Sequence, residues 1–275
     1  MSTPTVDVLV PTFERPAALA VTLASLIGQT FRDFRVVVSD QSERGNPLGT
    51  GEVQAVVRVL RLYGHTVTLL RHLPRRGLAE HRQFLLDQAV APYVLFLDDD
   101  VILAPDLLAR LLQAMREQRC GFVGSAVVGL AYEHVVRPHE EVIEFWDGPV
   151  QPEEVYPGSA AWERHRLHNA CNLLHVARRL DISAERQRLY KVAWVGGCVL
   201  YDTAKLRAAG GFSYWPELPR EHCGEDVLTQ LRVMARFGGC GIIPSGAFHQ
   251  DLPTTVTERR FDAPKLLLEL RSMEG

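Results

Sequence analysis

The stretch Val94-Leu95-Phe96-Leu97-Asp98-Asp99-Asp100 decides the fold. Its four consecutive apolar residues indicate a buried strand, and three carboxylates follow at the carboxyl end of that strand. Alternate side chains of an extended chain share a face, so Asp98 and Asp100 are expected to point together and Asp99 away from them. Two carboxylates at this spacing suit one Mg2+ or Mn2+ ion, whose coordination is commonly completed by substrate phosphates. The simpler alternative is a solvated acidic turn before the next helix.

The composition describes a folded globular chain that carries little net charge. With 275 residues and 47% hydrophobic content, the chain can bury a large core as one substantial domain. The formal charge of -3 offers no basic excess, so nucleic acid is not an expected partner. Five cysteines without a C-x-x-C pair argue against a disulfide framework or a zinc ribbon and favour a reducing compartment. No apolar run is long enough to cross a bilayer, and the N-terminus does not resemble a signal peptide, so we expect a cytoplasmic protein without a transmembrane segment.

The first half of the chain alternates short apolar strands with amphipathic helices. Strands are predicted at residues 6–10, 34–38, 67–70 and 94–97, with helices at 16–27 and 51–63. This order is typical of a parallel sheet with helices on both faces. Ligands of such sheets bind beyond the carboxyl ends of the strands, where Thr12, Asp40 and the acidic triplet all fall.

The second half of the chain is less regular. Residues 132–190 mix proline, tryptophan, histidine and charged residues without a clear period. Helices are predicted at 203–209, 224–237 and 263–273, and a strand at 241–244 leads to Phe248-His249.

Several short motifs run in order through most of the chain. They are Val10-Pro11-Thr12-Phe13 with Arg15, Val38-Ser39-Asp40-Gln41-Ser42, Gly77 with Arg82, the acidic triplet, Val195-Gly196-Gly197, Gly224-Glu225-Asp226, and His249. In this order they resemble the family 2 glycosyltransferases of the GT-A fold. The resemblance implies an α/β chain with one Rossmann-like, mostly parallel central sheet flanked by helices over residues 1–275. It implies a nucleotide-sugar-binding half at 1–130 and, at 131–275, a half that binds the acceptor and carries the catalytic base.

The activity implied by the resemblance is transfer of one sugar, with inversion, from a nucleoside-diphosphate sugar to a hydroxyl of a glycan or another acceptor. The implied cofactor is Mn2+ or Mg2+. The family's processive polymerases carry a Gln-x-x-Arg-Trp motif near the end of the domain, and its absence from this sequence favours single-sugar transfer.

The resemblance also assigns the donor nucleotide to a set of residues: Pro11, Thr12, Phe13, Arg15, Asp40, Arg82, Asp98 and Asp99. A carboxylate at Asp40 can accept the imide N–H of uracil or thymine, which cytosine lacks, so UDP or dTDP is favoured. The alternative is an aspartate that bonds its own backbone in a turn. Arg15, just before Pro16, fits a solvated helix start equally well. Arg75 departs from the family, which usually has asparagine there.

The metal and the base come from other motifs of the family. Asp100 matches the direct metal ligand, with Asp98 reaching the ribose or the metal through water, and His249 resembles the late metal ligand. The metal would neutralise the leaving diphosphate. Asp226 matches the catalytic base, and a place in the first turn of a helix would favour its ionised form. The alternatives are an ordinary surface or core histidine and a plain helix-start charge pair, and Glu225 competes for the role of base.

The acceptor is expected to meet a second set of residues: Trp194, Gly196, Gly197, Trp215 and Glu225. Glycines permit close backbone approach, and a tryptophan can stack on a sugar face, although both tryptophans also fit a core position. The polar stretch from Thr254 to Arg260 is a candidate lid or a solvated loop.

Three other classes of protein fit parts of the sequence. Haloacid-dehalogenase-like phosphohydrolases also place Asp-x-Asp after a strand, but they favour threonine or valine at the position of Ile102 and need a later Asp-Asp pair. A catalytically silent sugar-nucleotide-binding protein could keep the same residues. A nucleotidyltransferase would carry a glycine-rich loop, which residues 10–15 lack.

Overall fold

The computed structural model describes residues 3–254, 256 and 259–272. The strands are β1 (Val6–Thr12), β2 (Phe34–Asp40), β3 (Val67–Arg71), β4 (Tyr93–Leu97), β5 (Val101–Leu103), β6 (Phe122–Gly124), β7 (Arg188–Tyr190), β8 (Cys198–Asp202), β9 (Gly239–Ile243) and β10 (Ala247–His249). The helices are α1 (Pro16–Ile27), α2 (Gly51–Leu62), α3 (Leu78–Asp87), α4 (Leu107–Gln118), α5 (Asn172–Arg179), α6 (Thr203–Ala208), α7 (Glu225–Phe237) and α8 (Ala263–Ser272).

Eight strands form one central sheet in the order β3-β2-β1-β4-β8-β6-β9-β7. The first four strands of that order are parallel, as the sequence predicts. Beyond β4 the sheet is mixed: β8 runs antiparallel to β4 and β6, β6 and β9 are parallel, and β7 is antiparallel to β9. Four of the seven strand pairings are parallel, so the prediction of a mostly parallel sheet is confirmed, and each of the three antiparallel pairings involves β7 or β8. A separate antiparallel pair, β5 with β10, lies outside the main sheet.

The sheet separates two apolar cores. Successive side chains of β1 alternate between its faces, so Val8 and Val10 pack into one core while Leu9 packs into the other. Helices α1 and α2 supply the first core, and α3 and α7 supply the second. This arrangement explains why the strand reads as a continuous apolar run, because it is buried on both faces.

The irregular region at 132–190 contains elements that the sequence pattern did not predict. A 3-10 segment spans Ala160–His168, followed by α5 and the three-residue strand β7. The predicted helices at 203–209 and 224–237 are present within one residue at their ends. The predicted end of the last helix, Met273, lies outside the described residues. None of the described helices combines the length and apolarity needed to cross a membrane.

Candidate active site

A cavity of about 530 Å³ lies at the carboxyl ends of β1 and β4. Of the residues predicted for the site, those that line it are Pro11, Thr12, Phe13, Arg15, Asp98, Asp99, Asp100, Trp194, Gly196, Gly197 and His249. The remaining predicted residues, Asp40, Arg82, Trp215, Glu225 and Asp226, do not line this cavity. The position is the one expected for a ligand of an open α/β sheet.

The acidic triplet forms a turn between β4 and β5 and does not continue the strand. The predicted alternation is therefore wrong, because period-two geometry ends with the strand at Leu97. Asp99 accepts a hydrogen bond from the Thr12 hydroxyl at 2.6 Å, and Asp98 accepts one from Arg82 at 2.9 Å. Burial, more than the neighbouring Asp100, raises the pKa of Asp99 to about 7 despite the bond from Thr12.

Asp100 meets two basic side chains at a single oxygen. Arg15 Nη1 lies 2.6 Å from Asp100 Oδ2, and His249 Nε2 lies 3.4 Å from the same atom. The pairing of β10 with β5 brings His249 here by setting it opposite Val101. Burial alone would raise the pKa of Asp100, but hydrogen bonds with His249 and Arg15 hold it below its usual value. The bond with Asp100 in turn raises the pKa of His249.

A second charged cluster lies around Arg82, whose side chain is only 5% exposed. Its Nη2 lies 2.9 Å from Asp98 and its Nε lies 3.0 Å from Glu225. Burial would lower the pKa of Arg82, but the charges of Asp98, Glu225 and Asp226 raise it above its usual value. Glu225 is thus a buried partner of Arg82, which explains why it does not reach the cavity as predicted for an acceptor-binding residue.

Asp226 stands in the first turn of α7 with Glu225 as its neighbour. Burial and then the Glu225 carboxylate raise the pKa of Asp226 to about 7, although Arg82 opposes the shift. Burial therefore opposes the ionised form that the helix start was expected to favour at Asp226. A carboxyl group that titrates near 7 is well matched to general-base work at that pH.

Residues 7–173 match the glycosyl transferase family 2. The chain belongs to this family. The match removes the support for the phosphohydrolase alternative, which rested on the Asp-x-Asp pattern alone.

Two glycosyltransferases match part of this family 2 chain in sequence. It is 29% identical over 126 residues to a GalNAc(5)-diNAcBac-PP-undecaprenol beta-1,3-glucosyltransferase of Campylobacter jejuni, covering 46% of this chain and 39% of the relative. It is 28% identical over 111 residues to an uncharacterized glycosyltransferase of Haemophilus influenzae, covering 40% of this chain and 34% of the relative. The chain thus spans less than half of the length of these two relatives.

Solved structures confirm the GT-A fold. S. aureus TarS 1-349 in complex with UDP-GlcNAc superposes with a TM-score of 0.57 at 16% identity, covering 92% of this chain and 60% of TarS 1-349. GalNAc-T7 with UDP, GalNAc and Mn2+ gives a TM-score of 0.58 at 16% identity, covering 99% of this chain and 48% of that one. The mannosyltransferase PcManGT from Pyrobaculum calidifontis, with GDP-Man and Mn2+, gives 0.51 at 19% identity, covering 88% and 57%.

Asp40, the residue expected to meet the nucleobase, is fully buried at the end of β2. Its Oδ1 accepts hydrogen bonds from the backbone N–H and the hydroxyl of Ser42, at 2.9 and 2.5 Å. Its Oδ2 is buried without a hydrogen-bond partner in the described part of the chain. The turn interpretation accounts for one oxygen, and the other is left to accept a donor. The Arg75 guanidinium, at the position where the resemblance led us to expect asparagine, lies 4.4 Å from the centre of the Phe13 ring.

The residues around Asp100 carry the chemical groups that bind a divalent cation, but in this structure they are not arranged to hold one. Among the described residues, no group of three or more histidine, cysteine, aspartate or glutamate side chains is spaced to hold a metal. His249 Nδ1 accepts the Asp251 N–H at 2.8 Å, so the ring proton of a neutral imidazole lies on Nε2, which faces Asp100. A carboxylate and an imidazole are good ligands for Mn2+. Binding would require Arg15 to leave Asp100 and His249 to release that proton.

The sequence patterns missed four histidine and asparagine residues that line the cavity: His81, His165, His168 and Asn169. Burial lowers the pKa of His81 to about 3, and its Nε2 is buried with no partner among the described residues. His81 precedes Arg82 on α3, so the motif around Arg82 was the signal that could have found it. The other three lie in the irregular region, where no periodicity gave a signal. Trp215 lies elsewhere, with the Arg76 guanidinium 5.9 Å from its ring centre and the second core beneath it.

Proposed function

We propose that this chain is an inverting glycosyltransferase that moves one sugar from a nucleoside-diphosphate sugar to an acceptor hydroxyl, with Mn2+ or Mg2+ as its cofactor. The observation that carries the proposal is the meeting of Arg15, Asp100 and His249 at one carboxylate oxygen of the cavity. Basic groups, a carboxylate and an imidazole are the set that a metal-bound diphosphate requires. The nucleotide sugars and Mn2+ named for the similar structures agree with this assignment.

The donor would be held by the N-terminal half, residues 1–130. Asp100 would hold the cation together with His249 from the other half, and the bound ion would supply Lewis-acid stabilisation of the leaving diphosphate. The guanidinium of Arg15, freed from Asp100, can pair with a phosphate oxygen. The Oδ2 of Asp40 is buried and unpaired, so a nucleobase can reach it only after the residues that cover it move. Its proposed role is to accept the imide N–H of uracil or thymine, which favours UDP or dTDP.

The acceptor and the base belong to the C-terminal half, residues 131–275. Asp226, with its pKa near 7, is partly deprotonated at neutral pH and can take the proton of the attacking hydroxyl. Inversion requires that oxygen to approach from the face opposite the diphosphate. Trp194, Gly196 and Gly197 line the cavity and are proposed to contact the acceptor. Trp215 packs against the second core and Glu225 pairs with Arg82, so neither receives an acceptor role. Asp226 does not line the cavity either, and its assignment as the base rests on its match to the family motif and on its place beside Arg82 and Asp98.

The proposal is tested by the binding of UDP, dTDP, GDP and CDP, each titrated by calorimetry with and without Mn2+. We expect tight binding of UDP or dTDP that requires Mn2+ and is lost on adding a chelator. A variant of the exposed Asp147, Asp147→Ala, serves as a control for carboxylate removal and should bind as the unmodified chain does. Binding of none of the four nucleotides in the presence of Mn2+ would overturn the proposal.

A further inference from the structure

One part of the cavity wall is formed mainly by the irregular region at 132–190 and contains none of the residues proposed to bind the donor nucleotide. It consists of His165, His168 and Asn169 together with Trp194. The loop that carries Trp194 reaches the acidic turn, because the Asp98 N–H donates a hydrogen bond to the Gly197 carbonyl at 2.9 Å. This part of the wall is therefore adjacent to the proposed donor site.

This wall is held rigidly by aromatic and hydrogen-bonding contacts. The His165 ring lies flat on the Trp194 indole, with 4.9 Å between ring centres and 10° between planes. Trp162 packs against the same indole at 4.6 Å. His168 Nε2 lies 2.9 Å from the buried Tyr190 hydroxyl, and the His168 ring also bonds the Trp194 backbone. Burial lowers the pKa of His168 to about 4, so it is neutral and serves to position the loop.

The hydrogen-bonding role of His165 is fixed by its partner. Its Nδ1 lies 2.8 Å from the Trp162 carbonyl oxygen, which can only accept, so Nδ1 carries the proton. A neutral ring then presents Nε2 as an acceptor. Within the ranges that the structure describes, no other hydrogen bond to this ring is found.

The orientation of the Asn169 side-chain amide also follows from its hydrogen-bond partner. Its Nδ2 donates to the Glu140 carboxylate at 3.2 Å, and this assigns the nitrogen side of the amide. The amide oxygen, Oδ1, is left as an acceptor. Asn169 therefore offers an acceptor beside an aromatic surface, and so does His165 in its neutral form.

We propose that His165, Asn169 and Trp194 form the acceptor subsite and that it binds a neutral, hydroxyl-bearing sugar ring. The inference rests on the proposed transferase function and names its acceptor class. Two hydrogen-bond acceptors match two sugar hydroxyl donors, and the aromatic rings supply apolar contact for the ring face. The wall has no arginine or lysine, so it does not suit a second phosphate group. His165 determines acceptor specificity, and His168 is a positioning residue.

The probes are the methyl β-glycosides of glucose, N-acetylglucosamine and N-acetylgalactosamine, titrated into the full chain with UDP and Mn2+ present and followed by saturation-transfer NMR. At least one glycoside should bind. His165→Phe keeps the ring stack but removes both nitrogens, and it should weaken that glycoside about five-fold, the effect of one neutral hydrogen bond. Asn169→Ala should act similarly. Neither variant should change the affinity for UDP with Mn2+, and the exposed control His134→Ala should change neither affinity.

Different results would contradict the acceptor subsite alone or the proposed function as well. Equal glycoside affinity in the unmodified chain and both variants would overturn the subsite. So would a selective loss of affinity for a UDP-sugar, relative to UDP, in His165→Phe, because that loss would assign the wall to the donor sugar. Nucleotide binding with no glycoside binding would overturn this inference and leave the proposed function standing. No nucleotide binding would overturn both.

Discussion

Arg15 Nη1 lies 2.6 Å from Asp100 Oδ2, so a guanidinium stands against the carboxylate expected to hold a metal ion. The other terminal nitrogen of Arg15 donates to the Pro253 carbonyl, just beyond His249. Arg15 thereby links the acidic turn with the segment after β10, where Leu252 and Thr254 line the cavity. The positive charge of this side chain competes directly with a cation for Asp100.

Removal of Arg15 should make the site more receptive to a cation alone. In Arg15→Ala, Mn2+ without nucleotide should bind about ten-fold tighter, or about 1.4 kcal/mol, because repulsion by a nearby positive charge is lost. Electron paramagnetic resonance of free Mn2+ measures this affinity. Arg44→Ala removes an exposed arginine and is the control. An unchanged affinity in Arg15→Ala would mean that the guanidinium does not compete for this site.

Exchange of Asp40 for asparagine should change base selectivity. The two donors of Ser42 would keep the amide oxygen at the Oδ1 position and turn the NH2 group toward the base. UDP affinity in the presence of Mn2+ should fall about ten-fold because an acceptor becomes a donor, and CDP affinity should rise. Calorimetric titration of both nucleotides measures the two changes. Equal changes for UDP and CDP would show that Asp40 does not meet the base.

The pH dependence of turnover should report Asp226. A protonated carboxyl cannot accept the hydroxyl proton, so kcat/KM should fall as the pH drops below about 7, the pKa to which burial and Glu225 raise it. Glu225→Gln removes the like charge and should move this limb to lower pH. Release of UDP at a series of pH values measures the profile. A limb that stays in place in Glu225→Gln would remove Glu225 as a cause of the shift.

Loss of Arg82 should destabilise the fold strongly. Arg82→Ala would leave the 3% exposed side chain of Glu225 without its cation, next to Asp226 and Asp98. We expect the free energy of unfolding to fall by about 3–5 kcal/mol, the usual cost of breaking a buried ion pair. Urea denaturation measures the loss. Arg178→Ala breaks the exposed pair with Glu133 and should cost about 1 kcal/mol or less. Similar losses in the two variants would contradict the importance of the buried cluster.

The N-terminal half of the fold could be predicted because its signals are local. Strands β1, β2 and β4 are buried on both faces and read as apolar runs whatever their neighbours are. Beyond β4, strands such as β6 and β7 have only three residues each. The placement of β8 between β4 and β6 depends on long-range pairing that no local pattern reveals.

The candidate site also combines features that the sequence predicted with features that depend on long-range contacts. Asp100 and His249, which the motif order paired, lie 3.4 Å apart because His249 ends β10 and faces Val101, the residue after Asp100 and the first of β5. The turn that sends Asp98 to Arg82 and Asp100 to Arg15 depends on partners distant in sequence, so strand periodicity gave the wrong orientation. His165 lies in a 3-10 segment, where neither the strand period nor the α-helical period applies.

The central claim is that Asp100 serves binding and Asp226 serves chemistry. The most direct test measures Mn2+-dependent binding of the preferred nucleotide by calorimetry, together with its release from the corresponding sugar donor, in Asp100→Ala and Asp226→Ala. Asp100→Ala should lose the Mn2+-dependent binding. Asp226→Ala should bind as the unmodified chain does while its turnover falls by about a hundred-fold or more. Equal loss of binding in both variants, or full turnover in Asp226→Ala, would contradict this division of roles.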